Sequence, residues 1–137
     1  MLAVSLLRQF TLYLPIYAQI RLLSVGIDDG CHVEAAKPFV RDKPIVLYGS
    51  SIAQGNSAAR PGMSYQAIVA RTLNLDYVNL GFSGGGKAEP QVVSLVADVP
   101  ACCYLFDLGK SYGLQTGSAR AKADSERPIY HFLVPSA

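Results

Sequence analysis

Histidine, cysteine and charge are all scarce in this chain of 137 residues, and each shortage narrows what it can do. The two histidines, His32 and His131, lie at no metal-ligand spacing from the three cysteines, so neither a zinc site nor another cofactor is expected. Cys31 and the adjacent Cys102 and Cys103 make no disulfide framework; neighbouring cysteines inside an apolar run read as buried small side chains. The net charge of +2 comes from dispersed lysines and arginines. Without a basic run or stripe, nucleic-acid binding has no support. A long unbroken apolar run is missing as well. The opening MLAVSLLRQFTLYLPIYAQI is interrupted by Arg8, Gln9 and Pro15 and has no basic n-region, which argues against a membrane span and a signal peptide. The expectation is a soluble protein, cytoplasmic if the chain is complete, or one whose leader lies outside this sequence.

Half of the residues are hydrophobic, enough for one small core, and the length fits one domain. Before residue 35, FTLYLP (10–15) and IRLLSVGI (20–27) read as two strands of a hairpin, with Asp28, Asp29 and Gly30 as a turn. The linker KPFVRDKP (37–44) follows. Beyond it the pattern alternates: strands at 45–48, 77–80 and 102–106, with helices at about 63–73 and 89–97. This is the pattern of an α/β sheet of parallel strands with crossover helices on its faces. A last apolar run, IYHFLV (129–134), is a candidate fourth strand, while 113–127 has no strong period.

The segment IVLYGSSIAQG (45–55) carries the first candidate chemistry. A strand buried on both faces runs into Gly49, which allows a sharp turn, and Ser50 and Ser51 stand where a helix should begin. A serine so placed exposes its Oγ at the carboxyl end of a strand, with its own N–H free to bind an oxyanion. The alternative is that Ser50 or Ser51 only caps the helix.

GFSGGGK (81–87) follows the next strand. Gly81, Gly86 and Lys87 satisfy the spacing of a phosphate loop, but Ala88 stands where the magnesium-binding hydroxyl is required. Alternatively, neighbouring turns at the carboxyl edge of a parallel sheet lie side by side, and the Gly84 N–H would converge with that of Ser51 on one carbonyl oxygen. A tight turn alone would account for one or two of these glycines.

With both blocks in view, Phe10 to Phe106 resembles the SGNH, or GDSL-like, hydrolases. It is nearest the branch whose first block reads G-[ST]-S-I-x-Q-G, here GSSIAQG (49–55), followed by SAARPGMSYQAI (57–68) and NLGFSGGGK (79–87). The resemblance implies a flavodoxin-like fold and hydrolysis of a small-molecule ester, an acetyl or short acyl group, with Ser51 as nucleophile and Gly84 as oxyanion donor. It also implies that 1–36 is the hairpin remnant of a β-rich domain and 37–137 a truncated hydrolase domain.

Three departures stand against it. Ser111, in FDLGKSY (106–112), occupies the place of the family's asparagine donor and is shorter. The family's late D-x-x-H block, source of its base and acid, is absent. The chain also ends at the expected fourth strand. His131 is then the candidate base, but mid-strand in IYHFLV it is expected to point into the core, and Asp124 would orient it only if the chain folded back. His32 has no feature that brings it near Ser51. Two functions stay open: an esterase using Ser51, Gly84, Ser111 and His131, or a catalytically incomplete α/β module. Nucleotide binding is a third. The hairpin, lacking its parent domain, exposes unpaired edges, so a homo-oligomer is expected through residues 1–27.

Overall fold

The computed structural model describes residues 7–108 and the backbone of residues 131–135. The apolar runs form the strands expected of them: β1 (Ile45–Gly49), β2 (Tyr77–Gly81), β3 (Cys103–Asp107) and β4 (His131–Pro135). Between them lie a short helix α1 (Ser51–Gln54), a 3-10 turn (Pro61–Met63), and helices α2 (Tyr65–Leu73) and α3 (Pro90–Ala97). The sheet order is β2-β1-β3-β4. β1 pairs parallel with both β2 and β3, so the order reverses at β1, the topological switch point where open α/β sheets gather their ligands.

Strand alternation divides the core. Val46 and Tyr48 of β1 face α3 and pack with Val78, Leu80, Tyr104, Phe106, Val92 and Val96. Leu47, almost fully buried, faces the other way by the two-residue period, towards the layer that holds Ala53, Ala67 and Ala70. Helices therefore cover both faces, and β1, central and buried, carries its last residue to the middle of the carboxyl edge. Helix α2 ends at Asn74 in the left-handed conformation, a cap whose N–H returns to Ala70 and Arg71 carbonyls.

One expectation is corrected. Residues 10–15 and 20–27 form no strands, although the turn does form, with the Cys31 N–H donating to the Asp28 carbonyl and Gly30 left-handed. An isolated two-stranded ribbon is marginal, and Pro15 has no N–H to give to a ladder. The segment instead lies against the helices. The Arg71 guanidinium donates to the Tyr13 hydroxyl at 2.9 Å, and Gln54 Nε2 donates to the Ile16 carbonyl at 3.3 Å. The candidate fourth strand does form, as β4, and it runs antiparallel to β3. Its direction changes the position of His131.

Candidate active site

Gly49, Gly81, Asp107 and His131 form one transverse row across the sheet, paired Gly81–Gly49, Gly49–Asp107 and Asp107–His131. The three parallel strands end there and β4 begins there. His131 is the first residue of β4, at the carboxyl edge of the sheet, two strand spacings or about 10 Å from Gly49. The strand therefore begins at His131 instead of carrying it in its middle, because an antiparallel strand starts where its parallel neighbours stop.

Ser51 opens α1 immediately beyond this row and is half-buried. Ser50 takes the N-cap position, in extended geometry, but its side chain makes no capping hydrogen bond. The cap reading thus lacks the contact that defines it. Helix α1 lasts four residues and stops at Gly55, left-handed at φ 102°, whose N–H donates to the Ser51 and Ile52 carbonyls.

The turn after β2 is pressed against this element. A Cβ on Gly81 would stand 2.1 Å from the Gln54 nitrogen, and one on Gly86 2.6 Å from the Ser50 nitrogen. Phe82 N–H donates to the Gly49 carbonyl at 2.9 Å, and the Asn79 amide spans Gln54 O and its own strand's Gly81 N–H. Close approach of backbone to backbone is why these positions are glycine. Gly84 differs: it is left-handed at φ 75°, exposed, and has nothing within 4 Å of a would-be Cβ. Among the described residues its N–H makes no backbone hydrogen bond.

The phosphate-loop alternative fails on geometry as well as sequence. Its lysine belongs at the start of a helix, whereas Lys87 is followed by left-handed Ala88, then by Glu89 as N-cap, and α3 begins at Pro90. Tyr48 holds this return: buried, its hydroxyl accepts from Ala88 N–H and donates to Glu89 Oε2, each at 3.3 Å. Burial, more than the nearby Glu89 charge, raises its pKa.

On the other side of Gly49, Tyr65 donates to Asp107 Oδ2 at 2.7 Å. Burial first, then the hydrogen bond to Asp107 and its charge, push Tyr65 far above the usual phenol range. Neither residue was singled out from sequence. The available signal was an acid closing an apolar run, CCYLFD, at the end of a strand. His32 lies in the exposed chain before β1, paired with Glu34 at 3.2 Å, and Arg60 is exposed at the start of the 3-10 turn. Ser111 and Asp124 fall outside the described residues.

The family model for the GDSL-like lipase/acylhydrolases matches residues 42–113, just over half of the chain and both serine- and glycine-bearing turns. The chain belongs to this family. A solved structure from Bacteroides ovatus, classed as a GDSL-like lipase, is 40% identical over 73% of this chain with a TM-score of 0.65. The chain spans 29% of that protein's length. No curated protein matches it. Membership gives the chain the fold of that family, an α/β sheet with helices on both faces. No helix among the described residues is long and apolar enough to cross a membrane.

Proposed function

We propose that the chain is a carboxylic-ester hydrolase of short acyl or acetyl esters, with Ser51 as nucleophile and His131 as base. Ser51 Oγ attacks the ester carbonyl while its proton passes to the imidazole. The oxyanion takes hydrogen bonds from the Ser51 and Gly84 N–H groups. The intermediate then collapses, the alcohol leaves with the proton from the imidazole, and water releases the acid by the same route in reverse. Ser111 is retained as a further donor on the resemblance alone. The observation that supports this reading most is the seating of the glycine turn on the Gly49–Ser50 peptide, which sets two strand-to-helix turns side by side at the switch point.

The test is turnover of p-nitrophenyl acetate and butyrate by the wild type, Ser51→Ala and His131→Ala, with a fluorophosphonate label as a second readout. Both substitutions are expected to lower kcat by at least about 10³-fold, and Ser51→Ala to abolish labelling. Unchanged turnover in both would leave the second reading, a catalytically incomplete module.

A further inference from the structure

From residue 7 to residue 43 the only side chains that are not exposed are Tyr13 and Ile16. They stand in a stretch that bends at once after them, and through them the segment grips the fold. Tyr13 lies on the 3-10 turn, where a Cβ on Gly62 would stand 2.7 Å from its Cδ2. The Arg71 guanidinium pins it there, donating to the Tyr13 hydroxyl at 2.9 Å and to the Gly62 carbonyl at 3.1 Å. Ile16 lands on the end of α1. Its Cδ1 is 3.3 Å from where a Gly55 Cβ would be, and its carbonyl accepts from Gln54 Nε2 at 3.3 Å.

Helix α1 depends on such support, because four residues make a single turn that does not hold itself in water. Its last carbonyls are taken by side chains of other elements: Ala53 O by Gln66 Nε2 at 2.7 Å and Gln54 O by Asn79 Nδ2 at 3.3 Å. The Ser51 carbonyl accepts from the Gly55 and Asn56 N–H groups, at 3.1 and 3.0 Å. Ile16 therefore rests on the residue that closes the turn opened by Ser51. The Gln54 side chain shows that this contact matters. Its Oε1 is buried and accepts no hydrogen bond among the described residues. A buried amide oxygen without a donor carries a cost that a methionine of similar length would not. What the amide adds at this position is the Nε2–H bond to Ile16.

We propose that Gln54 is a positioning residue for Ser51 and that Tyr13–Ile16 is the strap through which it acts. The strap closes the far end of α1, and the Gly55 and Asn56 N–H groups then hold the Ser51 carbonyl. That fixes the peptide carrying both the Ser51 Oγ and its N–H against the glycine turn, and small misplacements of reacting groups are costly in rate. The inference rests on Ser51 as nucleophile, while amide exchange measures the strap's hold on α1 independently.

The test compares the full chain as wild type, Ile16→Ala, Gln54→Met and the double variant, by amide exchange at Gly55 and Asn56 and by p-nitrophenyl acetate turnover. Each single variant is expected to speed exchange at both amides by at least about tenfold, with β1 unchanged. Each is also expected to lower kcat by about 10–100-fold while KM changes less than about threefold. The double variant should match the more severe single one, because either change alone releases the same strap. Unchanged exchange in both single variants overturns the proposal, as does faster exchange with an unaltered kcat or fully additive losses in the double variant. If Gln54→Met fails to fold, Ile16→Ala decides by the same two readouts. Ser51→Ala separates the two readings: full turnover there removes the nucleophile and with it this role for Gln54, whereas loss of turnover leaves the strap to be judged on its own variants.

Discussion

Tyr65 is the phenol that ties helix α2 to the sheet edge, and its environment makes a definite statement about pH. Its folded-state pKa lies well above the ordinary value of 10, chiefly through burial. A group whose pKa is raised on folding contributes stability that is complete below its unfolded value and is lost as pH climbs through the folded one. The native state therefore weakens from about pH 10 upward, where the unfolded phenol ionises and the folded one does not. Tyr48 and Tyr77 are shifted in the same direction, so the loss is shared. Tyr65→Phe is expected to cost about 1–2 kcal/mol at neutral pH, by removing the hydrogen bond to Asp107. It should also flatten the alkaline decline. Urea midpoints at about pH 7.5 and about pH 11 check both effects; an equal alkaline loss in wild type and variant would remove Tyr65 as a source of it.

At the scale of elements, the glycine-rich turn separates packing from chemistry. Gly86→Ala adds a methyl 2.6 Å from the Ser50 nitrogen, at a left-handed φ of 74°. Overpacking adds about 1–3 kcal/mol to a left-handed cost of about 1–2 kcal/mol. Gly84→Ala meets the φ cost alone, since nothing lies near its added carbon. Thermal melts should therefore rank Gly86→Ala clearly below Gly84→Ala, which stays folded. Equal melting temperatures would mean that the turn is not seated on the nucleophile's peptide. Much of this element was legible in the sequence, since IVLYGSS and YVNLGFSGGGK each show a buried run meeting small residues, and both strands and turns form there. The hairpin was not, because FTLYLP and IRLLSVGI have strand composition, yet nothing local says whether a pairing partner exists. The direction of β4 was equally hidden: IYHFLV reads the same either way, and only pairing with β3 puts His131 opposite Asp107. Asp107 and Tyr65, 42 residues apart, meet through topology that no local pattern encodes.

At the scale of the molecule, apolar surface is distributed unevenly. Phe10 is 85% exposed and Leu22 83%, with Leu12, Leu23 and Val25 also outside the core. With Leu14, Tyr17 and Ile20, eight large hydrophobic side chains exposed within sixteen residues form a stretch of surface of the kind that marks contact with another chain. Tyr13 and Ile16 already anchor the same segment to α2 and α1, so it is held against the fold and keeps its outer side chains available. Association through this segment, two copies in the simplest case, is the expected outcome, with a scattering mass above that of one chain at low micromolar concentration. Phe10→Ser with Leu22→Ser removes the most exposed groups without touching Tyr13, Ile16 or the core, so the variant should keep its melting temperature when diluted and scatter as a monomer. A monomeric wild type would show that this segment does not self-associate. An associated double variant would move the interface to the groove of about 780 Å³ bordered by Leu73, Leu75, Cys103 and Leu105, at the opposite end of the strands from Ser51. Association through the groove leaves the carboxyl edge uncovered, so ester turnover per chain should then not change with concentration. A rate that rises with concentration would instead mean that a second copy completes the site.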